Sequence, residues 1–467
     1  MSRASAELEA LALERLTALN ATKKQNIEAY FSTIRSQITS LANSTMTVDA
    51  MRAFHDSFHA LPTLVDEGVV SLDEVQRANE AYYTTQFGAR YAQETGQPYR
   101  PQSLSDMPQS AAIAQYLYIS GNEHPLGEKD ALSASPIDPS DYSRAHAAYH
   151  AHYREFQQKF EFYDVFLVDP MSGFIVYSVF KELDYGTSLN TGPYKDTNFA
   201  RAFRKAARAA APGEAFLVDY ETYRPSYDAP ASFIASPIFD GDERIGVLVF
   251  QMPVGRINAV MAQTKGLGDT GESYLVGDDK RMRSQSRFSD ANTILSTLID
   301  TPATAEVAAG NAGDSRFQGY RGQAMISAYT PVDIEGFDWG IVTEIEQDEA
   351  LAAVSGLRTD GVLVGAVAVL VIGAFAWWFA GSVSRRVNAA VDVARNIAAG
   401  RFDNAIDDGG RDELGDMLGA LGTMQSELFG RIVAEKNEAL RITQALRSAD
   451  TNVLVADTQG NIVFTNL

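Results

Sequence analysis

From Gly361 to Ala380 the sequence reads GVLVGAVAVLVIGAFAWWFA, twenty residues without a charge. Coiled as a helix, that run is long enough to cross about 30 Å of hydrocarbon. A chain that carries it must divide its fold between two aqueous compartments. Trp377 and Trp378 stand near one end, where an interfacial aromatic belt belongs. Arg385, Arg386, Arg395 and Arg401 follow the run, whereas Glu344, Glu346, Asp348, Glu349 and Asp360 precede it against Arg358 alone. Positive flanks stay inside, so residues 381–467 are expected in the cytoplasm and residues 1–360 outside, with membrane lipid as a partner. The start, MSRASAELEALALERLTALN, is charged and amphipathic rather than a signal peptide, so a first membrane helix upstream of this sequence is expected.

Composition narrows the rest. Apolar residues make up 45% of the 467, enough for two or three cores rather than a disordered tail. Lys and Arg number 39 against 60 Asp and Glu, and a net charge of -21 repels nucleic acid at long range. No nucleic-acid partner is expected. There is no cysteine, which excludes disulfides, thiolate metal sites and cysteine nucleophiles.

Residues 1–55 read as one long helix. Ile27, Phe31, Ile34, Ile38 and Leu41 repeat at four-three-four-three spacing, a seam for packing against another helix. A helical, loop-rich segment follows to about residue 155. The texture then changes: YDVFLVDPMSGFIVYSVF (163–180) and PASFIASPIFDGDERIGVLVFQM (230–252) each read as strand, turn, strand. Farther on, GLGDTG (266–271) spells G-x-G-x-x-G, the pattern of a dinucleotide-binding loop. Such a loop needs a strand before it and a helix after it. Here VGRINAVMAQTK before it is helical and ESYLVGDDKRMRSQSRF after it reads as strand, turn, strand, so the glycines are expected to open a second sheet, completed by MISAYTPVDIEGFDWGIVTEI (325–345).

The stretches YDVFLVDPMSGFIVYSVFKELDYGTSLNTGPYKDTNFARAF, PSYDAPASFIASPIFD and GLGDTGESYLVGDDKRMRSQSRF resemble the double Cache sensor region of bacterial methyl-accepting chemotaxis receptors and related sensor kinases. The resemblance covers roughly the outer 300 residues. It implies an α+β fold: a long N-terminal helix carrying two PAS-like antiparallel-sheet modules, membrane-distal (56–255) and membrane-proximal (256–355), followed by the transmembrane helix (361–380). Residues 382–434 resemble a HAMP linker, with Val387, Ala390, Ala394 and Ile397 as one coiled-coil seam and Leu414, Met417, Leu421, Met424 and Leu428 as the second. Gly400 stands at the turn between them, and Arg386 replaces the usual proline near the first helix's start. Residues 447–467, ending TNVLVADTQGNIVFTNL, resemble the first two strands of a PAS domain.

Together these resemblances imply a homodimeric chemoreceptor of the bacterial inner membrane that binds a small-molecule ligand outside. Its signal would reach a downstream chemotaxis kinase and coupling protein through a cytoplasmic part beyond Leu467. The alternative is the sensor portion of a transmembrane histidine kinase or nucleotide cyclase.

No nucleophile elbow, phosphate loop or zinc-protease motif occurs, so no catalytic residue and no cofactor is expected. His146, His150 and His152 invite a metal reading, since the first two share a helix face, but no third-ligand motif accompanies them and no metal is assigned. A site for a small polar solute needs a few fixed donors and charges inside aromatic walls. YSVFKELDYGTSL and the segment after it supply Tyr177, Lys181, Glu182, Tyr185, Thr187 and Tyr194; DYETYRPSYDAPAS supplies Asp219, Tyr220, Tyr223, Ser226 and Ser232. The resemblance implies capture in the distal module, between its sheet and the loops that cover it. The Tyr-x-Arg-x-x-Trp arrangement usual for amino-acid ligands in that family is not recognisable.

Overall fold

The computed structural model describes residues 3–101, 107–407, 410, 412–448 and 451–465. The chain forms two compact units, Met1–Val354 and Ser355–Leu467.

The first unit begins with α1 (Arg3–Ala42), a helix with neither Pro nor Gly. Leu16, Ile27, Phe31, Ile34 and Ile38 are buried along one face. That face meets sheets rather than the helix the spacing predicts: Leu16 packs with Ile326, Ala328 and Ile345, and Phe31 stands edge-on to Phe337 and Trp339 at 5.1 and 5.7 Å. An apolar stripe fixes which face is covered and not what covers it. Asn20 adds a polar anchor by donating to the carbonyls of Ala328 and Ile341 at 3.1 and 3.0 Å. The helix stops at Ala42, and the Ser44 hydroxyl, accepting from the Thr47 amide at 3.2 Å, starts α2 (Thr45–Ala60).

Helices α3 (Thr63–Asp66), α4 (Leu72–Ala81), α5 (Gly88–Thr95), α6 (Gln109–Gln115) and α7 (Asp141–Phe160) follow. A π-helical stretch, Tyr82–Phe87, joins α4 to α5, and a second, Tyr116–Ser120, extends α6. The extra residue per turn crowds the next turn: a Cβ on Gly88 would sit 2.8 Å from the Tyr83 carbonyl.

The distal sheet contains β1 (Asp164–Val168), β2 (Ile175–Ser178), β3 (Phe216–Tyr223), β4 (Ala229–Asp240) and β5 (Glu243–Gln251), with α8 (Asn198–Ala206) between β2 and β3. Its order is β2-β1-β5-β4-β3 and every neighbouring pair is antiparallel. Both hairpins expected from the sequence are present, β1–β2 and β4–β5.

Helix α9 (Val254–Met261) leads to the proximal module: β6 (Glu272–Val276), α10 (Pro302–Ala308), β7 (Gly313–Gln318), β8 (Ala324–Pro331), β9 (Gly340–Glu346) and α11 (Gln347–Ala350), with strand order β6-β9-β8-β7. The expected second strand of 281–288 forms only isolated bridges, Met282 with Val276 and Arg281 with Leu298. Side-chain bonds replace the ladder there: the Ser284 hydroxyl accepts the Leu275 amide at 2.9 Å, and the Ser286 hydroxyl donates to Glu272 at 2.5 Å.

The G-x-G-x-x-G spelling is a turn. Gly266 and Gly268 have φ of +85° and +68°, and a Cβ on Gly271 would press into the Leu267 carbonyl. The amides of Asp269 and Thr270, which a phosphate would need, donate instead to the two oxygens of Glu349, both at 2.8 Å. An internal carboxylate fills the anion position.

The second unit contains α12 (Ala352–Ala398), α13 (Glu413–Arg447) and the antiparallel pair β10 (Leu454–Ala456) and β11 (Ile462–Thr465). Within α12, Gly361–Ala398 is long and apolar enough to cross a membrane, and every side chain from 361 to 380 is exposed. The helix passes Arg386 without a break; that guanidinium pairs with Asp412 at 3.0 Å, and Asp412 caps α13 by accepting from the Gly415 amide at 3.0 Å. Gly400, at φ +81°, ends the turn out of α12. Ala390, Val393, Ile397 and Leu418 are buried, whereas Val387, Ala394, Met417, Met424 and Leu428 are exposed in the single chain. Asp408, Gly409 and Arg411 of the expected linker, and Ala449, Asp450, Asn466 and Leu467 of the expected PAS segment, lie outside the described residues.

Candidate ligand-binding site

The segment after β2 turns sharply, because Asp164 at the start of β1 gathers it. One Asp164 oxygen accepts the amides of Val179 and Phe180 at 3.0 and 2.9 Å, and the other accepts the Ser178 hydroxyl at 2.6 Å. Lys181 follows with φ of +63°, and the chain then delivers Glu182 and Asp184 into the module. Gln115 holds this loop from the other side: its amide donates to the carbonyls of Leu183 and Tyr185 at 3.0 and 2.8 Å and its oxygen accepts the Tyr83 hydroxyl at 2.7 Å. Gly186 leaves no slack, since a Cβ there would lie 3.2 Å from Ala111 of α6.

Glu182 and Asp184 are 8% and 0% exposed, and two buried acids need compensation. The Glu182 oxygens accept the Tyr163 hydroxyl at 2.7 Å and the Ser226 hydroxyl at 2.8 Å; Gln251 donates to Ser226 at 3.1 Å. One Asp184 oxygen accepts the Tyr223 hydroxyl at 2.7 Å. The other, Oδ1, is buried without a hydrogen-bond partner, as is Oε1 of Gln251. Tyrosines wall the pair. Tyr82 and Tyr83 come from the π-helical stretch, Tyr194 from the loop before α8, and Tyr227 from a left-handed turn at φ +58° that stacks it on Phe87 at 4.9 Å. Burial pushes the hydroxyls of Tyr82, Tyr194 and Tyr227 up, and the field of Glu182 adds to it in all three.

The acids respond in the same sense. Burial pushes Asp184 up to about 6 against the Tyr223 hydrogen bond, and pushes Glu182 well above the carboxylate range, with Asp184 adding to the rise. Burial also lifts Asp164 to about 7, and lifts Glu344 in the proximal module to about 7 with help from Glu272. These groups keep protons in the folded state that the unfolded chain releases. Their contribution is full below about pH 4 and is lost as pH rises through about 6 to 7. The buried, neutral His146 and His150 act oppositely up to about pH 6.5, and Lys181, pulled down to about 7 by burial, acts oppositely above that value; the four acids outweigh them. The melting temperature of the ligand-free protein is therefore expected to fall by several degrees between about pH 5 and about pH 8. A scan in matched ionic strength checks this; a profile that rises over that range contradicts the assignment.

The structure divides the residues singled out in the sequence into groups. Glu182, Tyr194, Tyr223 and Ser226 converge on the acid cluster. Lys181 does not: its ammonium donates to the Val179 carbonyl at 3.0 Å and lies 5.8 Å from the Tyr177 ring. Tyr177 binds His150, and Tyr185 binds Tyr142 at 2.5 Å. Thr187 donates to the Asp184 carbonyl and Ser232 to the Val218 carbonyl, both at 2.7 Å, which shapes backbone only. Asp219 and Tyr220 lie at the junction with the proximal module, where Asp219 accepts from Arg283 and from the Trp339 indole at 2.9 Å, and Tyr220 stacks on Trp339. His146 and His150 stack at 4.3 Å, but His150 spends both nitrogens, on the Tyr177 hydroxyl and the Asp130 carbonyl at 2.7 Å each. Burial holds both imidazoles neutral. His152 is exposed on another face. Asp184, Tyr163, Tyr82, Tyr83 and Tyr227 were not singled out. The density of aromatics in AYYTTQFGARY (81–91) was the available signal.

Residues 3–354 match the Cache domain family, and residues 378–429 match the HAMP domain. A protein of Sinorhizobium fredii described as a probable chemoreceptor, y4sI, is 26% identical over 274 residues, covering 56% of this chain and 34% of that protein. Transducer protein BasT of Halobacterium salinarum is 29% identical over 234 residues, covering 46% of this chain and 28% of its own. The chain thus spans about a third of the length of these relatives. Among solved structures, the ligand-binding domain of the Pseudomonas fluorescens chemoreceptor CtaA in complex with L-serine is 15% identical with a TM-score of 0.30, covering 48% of this chain and 87% of that one. Neither matched domain is a catalytic one. A Cache match over most of the chain, a HAMP match after it and, among the described residues, one helix at the boundary long and apolar enough to cross a membrane lead to one assignment: this protein belongs to the Cache domain family, as a Cache–HAMP sensor.

Proposed function

We propose that the chain is the sensor and linker of a homodimeric transmembrane chemoreceptor whose distal module captures a small solute bearing a cationic amine. The observation that carries this reading is the unpartnered, fully buried Oδ1 of Asp184 beside Glu182, inside a wall of tyrosines. An ammonium group supplies what the site lacks: a charge-assisted donor for the free oxygen and a cation for the faces of the rings. Because the site is closed by α4 to α6 and their π-helical turns, the solute enters when that cover opens. Its differential affinity for the closed arrangement is what biases the signal.

The rest follows the domain order. Residues 1–360 face the outside of the bacterial inner membrane and residues 381–467 the cytoplasm. The apolar side chains left exposed along α12 and α13, among them Val387, Met417, Met424 and Leu428, support a second copy packing against the linker. The terminal hairpin is read as the start of a PAS domain, and a chemotaxis kinase with its coupling protein is the output. The visible portion is not read as an enzyme.

The test is a melting and calorimetry screen of the full chain in nanodiscs against primary amines, their neutral amide analogues and matched carboxylates. Amines at a hundredfold their Kd are expected to stabilise by about 2.7 kcal/mol while the amides do not. Affinity should weaken below about pH 6, where the cation must displace the proton that Asp184 then holds. Stabilisation by carboxylates and not by amines overturns the reading.

A further inference from the structure

Two other histidines, His55 and His59, stand four residues apart on α2, so their rings share one face of that helix, with centroids 4.9 Å apart. Facing them is Asp169, where β1 turns toward β2. Nε2 of His59 lies 3.2 Å and Nε2 of His55 3.7 Å from Asp169 Oδ2, and one ligand atom from each residue falls within 4.8 Å of the others. A tetrahedral ion with bonds of about 2.0–2.2 Å holds its ligand atoms roughly 3.3–3.5 Å apart. Both imidazole-to-carboxylate distances are already near that separation, and the two imidazole donors lie within 4.8 Å of each other.

We infer that His55, His59 and Asp169 form a divalent transition-metal site, of the two-imidazole and one-carboxylate class that suits Zn2+. The surroundings are those of a built site. The other ring nitrogen of His55, Nδ1, lies 3.0 Å from an Asp56 oxygen, the outer carboxylate that fixes a ligating imidazole's tautomer and orientation. Asp169 is 4% exposed and is aimed by its own turn: Oδ1 accepts the Met171 amide at 2.9 Å, and the Ser172 hydroxyl donates to Oδ2 at 2.5 Å. His59 is seated against Phe58 and Phe174, at 5.7 and 6.0 Å between centroids. The two imidazoles are 42% and 39% exposed, which leaves an outward fourth position for water.

The location gives the ion a role distinct from solute binding. Asp169 and Ser172 belong to the turn against which the end of the acid-bearing loop is tied: Ser188 donates to the Ser172 carbonyl at 2.7 Å, and Asn190 to the Met171 carbonyl at 3.1 Å. A bound ion staples α2 to that turn, and so constrains the loop that carries Glu182 and Asp184 from its far end. This inference does not rest on the identity of the solute.

The experiment uses the full chain in nanodiscs, purified without a polyhistidine tag and stripped with chelator, with Zn2+ alone as the probe and Mg2+ as the control. One-to-one Zn2+ binding with a rise in melting temperature is expected, and none from Mg2+. Loss of an outer-shell partner typically costs about 10- to 100-fold in metal affinity, which is the expectation for Asp56→Ala. His55→Ala and His59→Ala, which remove ligands, are expected to cost at least about 100-fold. Both imidazoles are half-exposed, so these variants should keep the metal-free melting temperature. An absence of Zn2+ binding in the parent, or undiminished binding in the double variant, overturns the inference and leaves His59 and Asp169 as a plain hydrogen-bonded pair.

Discussion

Asp184→Asn is expected to lose about 100-fold in affinity for a cationic amine while the ligand-free protein melts higher than the parent at about pH 8. The two effects have opposite signs for one physical reason. Asp184 is fully buried and its folded pKa is raised to about 6 by burial, so at pH 8 the empty site holds an ionised carboxylate at a cost. The amide is of the same size, its oxygen can still accept the Tyr223 hydroxyl bond seen at 2.7 Å, and it has no charge to keep out of water. What it cannot do is neutralise an ammonium. A hundredfold loss corresponds to about 2.7 kcal/mol, within the about 2–5 kcal/mol lost when one partner of a buried, hydrogen-bonded charge pair is truncated in a complex. Paired melting and calorimetry on parent and variant decide it. If affinity and ligand-free stability fall together, Asp184 is a structural acid and the amine reading is wrong.

Arg283→Ala is expected to destabilise the first unit by about 2–3 kcal/mol and to confine the response to solute to the distal module. Arg283 is 4% exposed and joins the two modules, reaching both Asp219 oxygens on β3 at 3.0–3.1 Å and Asp279 of its own module at 2.9 Å. Burial opposes its charge, and the Asp219 and Asp279 carboxylates more than offset that, holding the guanidinium above its ordinary value. Without it, Asp219 keeps the Trp339 indole and the Tyr220 amide as donors but loses its counter-charge. Breaking a buried pair from one side costs about 3–5 kcal/mol, and the 29% exposure of the Asp219 side chain reduces that figure. Hydrogen exchange supplies the second readout: in the parent, solute should slow exchange in β8 and β9 as well as in the distal sheet, and in the variant only in the distal sheet. A variant within about 0.5 kcal/mol of the parent, with proximal protection intact, means that α1 and the Trp339 contacts with Asp219 and Tyr220 couple the modules without Arg283.

Much of the architecture was legible because it is written in local patterns. An uncharged run of twenty residues is long and apolar enough as a helix to cross a membrane, and alternating runs around Asp-Pro and Asp-Gly turns make hairpins whatever lies beyond them. Local pattern also rejected the nucleotide spelling, since the order of helix and strand around GLGDTG is wrong for it. That the Glu349 carboxylate takes the amides of that turn was not legible, because Glu349 is 79 residues from Thr270.

The candidate site was half legible in the sequence. Glu182, Tyr223 and Ser226 were picked out by residue type, but so were Lys181, Asp219 and Tyr220, and type does not say which of them meet. Asp184, two residues from Glu182, was passed over. Two of the tyrosines that wall it, Tyr82 and Tyr83, come from a π-helical turn about a hundred residues earlier, in a stretch whose sequence reads only as helix. The histidines show the same limit. His146 and His150 have the spacing of a metal pair and are spent on a tyrosine and backbone carbonyls, while His55 and His59 have the same spacing and find Asp169 at 110 residues' distance.

By itself, then, the sequence determined the long apolar helix, the two antiparallel modules, the linker helices and the turns, because each is set by periodicity or backbone preference within a window of about 20 residues. Only the tertiary structure decided that α1 lies on the sheets, that Asp184 is left with a free oxygen, that Arg283 bridges the modules, and that one histidine pair rather than the other faces a carboxylate. Those outcomes depend on which distant groups share a dry volume, and the energies that follow from burial and pairing belong to that shared volume rather than to any segment of chain.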